Sequence, residues 1–321
     1  MRKMLLLLAV SVSAWLCSCN SSDRVEIVRL DRYAALAAHG EISPEAYDSV
    51  KPGVEMLMTL TAPESTLSLS EFLANYGTAN WSESFGPEVE TRLPSLGQAE
   101  SELGEARRLI AEHLPEALFP AKIYGVITPY RQSVMLRDSV MLIGLNHYLG
   151  NDFDGYEGFG YERRLKVPQR MAVEAVEALI FTEFPKTDRQ LTLAEAMLYD
   201  GAVMYATHCV MPSAKLHDVL GIDAESLKRI ESEKDEIWQS LTRNNLLFST
   251  DENVKSRLFT ASETADRIYL GCPGRAVRYI GYLLVKNYHK ANKSVGLSSL
   301  LSPKFYTSQF AFRQAVTASK L

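Results

Sequence analysis

Few residues of this 321-residue chain have the types and spacing that common enzyme chemistry needs. Its six histidines are scattered and no two lie four residues apart, so the His-Glu-x-x-His pattern, which puts two zinc ligands on one helical face, is absent. The chain also lacks a G-x-S-x-G nucleophile elbow, a phosphate-binding loop and a G-x-G-x-x-G turn after a predicted strand. The sequence therefore contains no common hydrolase or nucleotide-binding motif.

One cluster of carboxylates could bind a cation. Asp152, Asp154 and Glu157 lie in a glycine-containing stretch, and calcium prefers oxygen ligands of this kind. The spacing departs from the twelve-residue EF-hand pattern with its central glycine. We interpret the stretch as a solvated acidic loop, with a calcium site as the alternative.

Three further residues form a candidate functional cluster: His147, Asp200 and Arg275. His147 ends an apolar predicted strand, where an imidazole bonds a backbone carbonyl more often than a ligand. Asp200 lies in a predicted helix otherwise rich in Ala, Met and Leu, and burying its charge unpaired would cost several kcal/mol. It therefore needs a cationic partner, and either a structural salt bridge or a functional site would satisfy it. The candidate partners are Arg163, Arg164, Arg275 and Arg278.

The elements that must position these residues indicate an α+β fold in one continuous domain. We expect a small antiparallel sheet, formed as a meander by residues 122–128 and 133–145, followed by a predominantly helical half. Polar, turn-rich segments such as residues 79–84 separate the elements before the sheet. Helices are predicted over residues 31–39, 68–76, 98–114, 169–184, 192–209, a stretch capped by Asp223, and 274–288.

Composition excludes several classes of protein. Apolar residues make up 46% and charged residues 23%, which is typical of a folded globular chain. The net charge of −5 provides no overall positive field for phosphate backbones. We expect no nucleic-acid partner.

The N-terminus is typical of a bacterial lipoprotein. Arg2 and Lys3 precede an apolar run over residues 4–16, which is shorter than the roughly 20 residues of a membrane-spanning helix. The following 16–19 segment, Leu-Cys-Ser-Cys, resembles a lipobox with Cys19 as the acylated residue. An ordinary cleaved signal and a buried apolar strand are the alternatives. We predict a signal peptide over residues 1–18, a single domain over residues 19–321, and membrane attachment through palmitate-type acyl chains on Cys19.

Two cysteines would remain after lipidation, Cys209 and Cys272. In an oxidising compartment they could form a disulfide. Their neighbourhoods are predicted as a helix end and a loop, which leaves their distance, and therefore the pairing, open.

Several of these segments together resemble the gliding-motility lipoprotein family GldB. The similarity extends from about residue 123 to about residue 301, in matching order and next to a lipobox, whereas residues 20–120 match loosely and are left open as a separate N-terminal lobe. The segments that carry it are 144–150, 199–201, Trp238 with 246–250, and 273–275 through 281–282.

That family is in turn similar to gluzincin-type zinc peptidases. Residues 176–183, where such enzymes have His-Glu-x-x-His, contain no histidine, and Asp200 precedes Gly201 where they have glutamate. One carboxylate cannot hold zinc. The resemblance therefore implies a peptidase-like scaffold without a metal site and without a cofactor.

The function implied by the resemblance is that of an envelope lipoprotein of gliding motility or the linked secretion machinery. It would face the periplasm, with the outer membrane favoured over the inner, and act as a non-catalytic docking protein for other envelope proteins. Two alternatives remain: a hydrolase whose atypical metal site combines Asp200, His147 and the 152–157 loop, and a small-ligand carrier with a pocket between sheet and helices.

Overall fold

The structure, a computed structural model, describes residues 24–321. Cys19 and the predicted signal peptide lie outside the described residues. Within the described part, helices predominate and four short strands form one sheet, which confirms the predicted α+β class. Among these residues no helix combines the length and apolarity needed to cross a membrane.

The sheet is mixed rather than antiparallel. Its strands are ordered β1-β2-β4-β3, and both β1 and β4 run parallel to β2. Only β3 and β4 pair antiparallel, so the predicted meander is right for that hairpin and wrong for β2, which pairs parallel with β4 rather than antiparallel with β3. The strands are β1 (Ile27–Arg29), β2 (Lys122–Val126), β3 (Val134–Arg137) and β4 (Val140–Gly144).

Burial explains why β4, and not β3, lies next to β2. The β4 residues 141–143 are all fully buried, as expected of a strand covered on both faces. In β3, buried Met135 lies between half-buried Val134 and Leu136, and Arg137 is exposed, which suits an edge strand. β1 has only three residues, too few to show an alternating pattern, and was not predicted.

The two faces of the sheet pack against different helices. Tyr124 and Leu142 face a cluster formed with the first three helices, whereas Ile123, Met141 and Ile143 face the main core. This alternation is the period-two pattern of strands. The helices before β2 are α1 (Leu30–Ala38), α2 (Pro44–Thr61), α3 (Leu69–Gly77), α4 (Asn80–Arg92) and α5 (Gly97–His113).

Helix α4 replaces the turn-rich segment expected over residues 79–84. Its sequence contains Gly86 and Pro87, and its N-cap residue Ala79 provides no side-chain hydrogen bond. Local helix signals are therefore weak. The helix is anchored by tertiary packing of Val89, which is fully buried in the main core.

The helical half follows the sheet. The helix predicted over residues 192–209 begins with the expected capping box between Thr192 and Glu195, and Asp223 caps α9 as expected. The helices are α6 (Met171–Glu183), α7 (Leu193–Val210), α8 (Leu216–Leu220), α9 (Ala224–Arg243), α10 (Glu252–Phe259), α11 (Ala276–Ala291), α12 (Leu297–Leu300), α13 (Pro303–Tyr306) and α14 (Gln309–Ser319).

Helices α7 and α11 touch backbone to backbone at two glycines. A Cβ atom added to Gly201 would lie 2.2 Å from the carbonyl carbon of Gly281, and one added to Gly281 would lie 2.2 Å from the carbonyl oxygen of Met197. No side chain can be added at either position without moving the helices apart. The two glycines therefore set the distance between the central helices of this half.

Replacing Gly281 by Ala should destabilise the protein by about 2 kcal/mol, because overpacking costs about 1–3 kcal/mol and exceeds the helical preference for alanine. Urea denaturation of the purified full-length protein would measure this. Gly158→Ala is the matched control, since nothing lies within 4 Å of its added Cβ. Equal stability of the two variants would contradict the close helix contact.

Candidate functional site

A polar cleft of about 360 Å³ lies beside helix α6. One wall contains Ser133, which lies just before β3, together with His147 and Lys166. The other wall contains Glu174 of α6 and Arg275 at the start of α11. Two members of the predicted cluster, His147 and Arg275, thus line one cavity. Charged side chains and a few apolar ones share this lining.

Asp200 does not line this cleft. It lines a larger one of about 1030 Å³ between the α6–α7 connection and α10. Of the three predicted cluster residues, His147 and Arg275 therefore line one cavity, and Asp200 lines another. Phe181 contributes to both clefts, which makes them neighbours.

Arg278 joins the two clefts through a buried ion network. Its Nε donates to Asp200 Oδ2 at 3.0 Å, its Nη2 to Glu177 Oε1 at 2.7 Å and its Nη1 to the Leu220 carbonyl at 3.0 Å. Burial alone would lower the pKa of Arg278, but the two carboxylates raise it above its usual value. Asp200 thus has the cationic partner expected for a carboxylate on a mostly apolar helix. Of the four candidate arginines, this partner is Arg278.

The other three candidate arginines bond elsewhere. Arg163 donates to the Asn151 carbonyl, and Arg164 lies 3.5 Å from Asp223. Arg275 donates to two backbone carbonyls, those of Phe259 at 3.0 Å and Gly221 at 2.7 Å. None of the three makes an ion pair with Asp200 in residues 24–321.

Arg275 has an unusual backbone as well as an unusual environment. Its φ of +57° lies in the left-handed region, which costs roughly 1–2 kcal/mol for a residue with a Cβ. It directly precedes α11, so the helix predicted over residues 274–288 begins two residues later than expected. Burial, together with Arg278 and Arg170 nearby, lowers the pKa of Arg275 to about 10.

Both ring nitrogens of His147 are occupied. Nε2 lies 2.9 Å from the Tyr130 carbonyl and Nδ1 lies 2.8 Å from the Lys166 ammonium. Because an ammonium only donates, Nδ1 accepts and the proton is on Nε2. Burial and the Lys166 charge lower the pKa of His147 to about 4, so the ring is neutral at physiological pH. His147 bonds a backbone carbonyl, as its strand-end position suggested, and also positions Lys166.

Glu174 is a central cleft residue that the sequence analysis missed. It accepts hydrogen bonds from Ser133 at 2.5 Å and Tyr148 at 2.7 Å, and its other oxygen lies 3.0 Å from Arg170. Burial alone would raise the pKa of Glu174, but these partners lower it below its usual range. The sequence feature that could have identified Glu174 is a carboxylate on a mostly apolar helix. The same feature made Asp200 a candidate.

The carboxylates of the 152–157 loop do not join this site. Asp152 is 74% and Asp154 95% exposed, and their nearest cations are Arg92 at 3.0 Å and Arg163 at 4.0 Å. Within residues 24–321 no three His, Cys, Asp or Glu side chains are grouped closely enough to bind a metal ion. The combination of His147, Asp200 and this loop, on which the metal-dependent alternative rests, is therefore not assembled here.

The two cysteines left open as a disulfide are separate free thiols. Cys209 is half-buried on α7, and burial raises its pKa. Cys272 is fully buried, and burial raises its pKa to about 12. Both thiols therefore stay protonated at neutral pH and contribute as small apolar side chains.

Replacing Arg278 by Met should destabilise the protein by about 3–5 kcal/mol, because it leaves Glu177 and Asp200 buried without their partner. Urea denaturation would measure the change. Arg108→Met is the control, since Arg108 and Glu112 form an exposed pair at 3.6 Å and the expected loss is below about 1 kcal/mol. An equally small loss of stability in both variants would contradict a stabilising role for the buried ion network.

His147 should make the protein less stable as the pH falls. Its folded-state pKa of about 4 is below the ordinary value of 6.5, so between these pH values the unfolded ring binds a proton that the folded ring does not. Stability should fall by up to about 1.4 kcal/mol per pH unit on acidification through this window. Thermal denaturation from pH 4 to pH 8 should show a shallower dependence for His147→Gln, whereas exposed His39→Gln should keep the wild-type slope. Equal slopes for all three proteins would contradict a neutral buried imidazole.

One family of known proteins accounts for most of this chain. The sequence model described as "Gliding motility protein GldB" matches residues 20–313. Comparison with curated proteins gave no match, and neither did comparison with solved structures. Because the family match covers far more than half of the sequence, the chain belongs to the GldB family of gliding-motility lipoproteins.

Proposed function

We propose that this protein is anchored to the outer membrane by acyl chains on Cys19, faces the periplasm, and serves as a non-catalytic docking protein of the gliding or linked secretion machinery. The observation that carries the proposal is the family match over residues 20–313. The lipobox-like sequence ending at Cys19 supports the anchor. Acyl chains contribute about 0.8 kcal/mol per buried CH₂, so several chains hold a protein firmly without a spanning helix.

The contacts in the cleft support a role without catalysis. A general base needs a free lone pair on a group that titrates near the working pH. His147 uses both nitrogens, and its pKa of about 4 is far below neutral pH. Glu174 accepts two hydrogen bonds and an ion pair, and Asp200 is bonded to Arg278. These side chains are engaged in holding elements together.

A docking role requires a rigid body on the membrane tether, and the described residues fit this requirement. Helix α6 is bonded to the strand side of the molecule through Glu174 and to α7 and α11 through Glu177 and Arg278. The elements around the cleft are therefore linked by buried ionic contacts. A partner would meet a preformed surface.

The proposal predicts that the wild-type protein is found in membranes with acyl mass on Cys19 and that Cys19→Ser releases it from them. Cys209→Ser is the matched control and should remain in the membrane fraction. Fractionation of cells followed by mass spectrometry of the N-terminal peptide gives the readout. A Cys19→Ser protein that stays fully membrane-bound would contradict a lipid anchor.

The docking part is tested separately. Wild-type protein recovered from membranes in mild detergent should bring a motility or secretion component with it in stoichiometric amount. A bait recovered with lipid alone would contradict the docking role while leaving the anchor intact. Purified protein that cleaved peptides and lost this activity with a chelator would overturn the non-catalytic assignment.

A further inference from the structure

The cleft beside α6 has more positive than negative side chains. Five cationic and three acidic side chains line it, which leaves two positive charges in excess although the whole chain is acidic. Such a local excess attracts anions. The cationic residues are Arg131, Lys166, Arg170, Arg275 and Arg278.

Three of these five cations form ion pairs with carboxylates that line the same cleft. The pairs are Arg131 with Glu162 at 3.5 Å, Arg170 with Glu174 at 3.0 Å and Arg278 with Glu177 at 2.7 Å. Lys166 and Arg275 have no carboxylate within 4.0 Å in the described part of the chain. Asp200, which does not line the cleft, also bonds Arg278, so the cleft and its bonded carboxylates have an excess of one positive charge, and the two cations without a carboxylate partner are Lys166 and Arg275.

Lys166 and Arg275 also keep unused donors. Lys166 gives one of its three N–H groups to His147, and its ammonium lies 4.5 Å from the centre of the Phe159 ring. Arg275 makes two hydrogen bonds, both to backbone carbonyls, with a guanidinium that has five N–H groups. Burial lowers the pKa of both residues, although carboxylates nearby oppose this shift: Glu174 and Glu162 for Lys166, Glu177 and Asp200 for Arg275.

Three guanidinium groups converge at Gly221 beside the cleft. A Cβ placed on this glycine would lie 2.5 Å from Arg275 Nη1 and 3.0 Å from both Arg170 Nη2 and Arg278 Nη1. Arg170 is only 5% exposed, and its Nε has no hydrogen-bond partner. A buried donor without a partner costs about 1–3 kcal/mol, so this group would be stabilised by an acceptor from a ligand or a water molecule.

We propose that this cleft binds the carboxylate of an organic ligand, with Lys166 and Arg275 as its principal cationic contacts. The arginine and lysine donors that line this cleft suit a carboxylate, because hydrogen bonds between ionised groups are shorter and stronger than neutral ones. Val134, Leu165, Ala178 and Phe181 also line the cleft, and they suit an apolar group attached to the carboxylate rather than an inorganic anion. The inference does not rest on the docking role, because the charges of the cleft alone carry it.

The experiment compares a carboxylate with its neutral isostere on the purified full-length protein. Isothermal calorimetry at low ionic strength should show binding of 3-phenylpropionate and at least tenfold weaker binding of 3-phenylpropionamide. Equal affinities for the two probes, or binding of neither, would overturn the proposal. Binding of inorganic phosphate more tightly than every carboxylate would also overturn it.

Variants then locate the site. Lys166→Met and Arg275→Met should each weaken 3-phenylpropionate binding at least tenfold, whereas Arg108→Met on the exposed face of α5 should leave it unchanged. Thermal denaturation without ligand shows whether each variant is folded; if Arg275→Met is not, Lys166→Met decides alone. Unchanged affinity in a folded Lys166→Met protein would place the binding elsewhere and refute the assignment.

A second pair of probes separates two sources of the carboxylate. Hippurate has a peptide bond next to its carboxylate, as a protein C-terminus does, and 3-phenylpropionate has none. Tighter binding of hippurate by tenfold or more would assign the site to a peptide C-terminus. The reverse order would assign it to a small organic acid, and either order supports the carboxylate site.

Discussion

The contact between the backbones of α7 and α11 is the constraint on which the rest of the helical half depends. It brings Gly201 and Gly281 so close that neither tolerates a Cβ atom. Asp200 directly precedes the first glycine, and Arg278 lies about one helical turn before the second. The close approach thus holds Arg278 at hydrogen-bond distance from Asp200. A buried ion pair is favourable only when such geometry is maintained, because removing both charges from water costs several kcal/mol per ion.

The same ion pair determines how the sheet and the helices are joined. Arg278 also bonds Glu177 on α6, and one turn earlier on that helix Glu174 accepts from Ser133 and Tyr148 beside the sheet. Hydrogen bonds and ion pairs of buried carboxylates therefore run from the edge of the sheet through α6 to the central helix pair. Because every carboxylate in this series has a partner, the helix can bury charged residues along a mostly apolar sequence. The cleft is formed where this series faces the segment containing His147 and Lys166.

Structural features that depend on neighbouring residues in the sequence could be predicted, whereas features that depend on long-range contacts could not. The capping box at Thr192 and the need of Asp200 for a cation follow from chemistry within a few residues, and both are present. Choosing Arg278 rather than Arg275 required the assembled fold, in which Arg275 donates to the carbonyls of Phe259 and Gly221 instead. The order of the strands could not be predicted from the periodicity of each strand alone. It agrees with the difference in burial between β3 and β4, which appears only in the assembled sheet. Local rules predicted several of the helices and the need of Asp200 for a partner, but they missed β1, α4 and Glu174, and partner choice is a property of the assembled fold.

The polar groups of this cleft differ in how fully their hydrogen-bonding capacity is used. Here His147 accepts from Lys166 and donates to Tyr130, while Glu174 is bonded on both oxygens. Unused hydrogen-bond donors remain on Lys166 and Arg275. Donors of this kind can hold an anion, and this is the property on which the proposed carboxylate site depends.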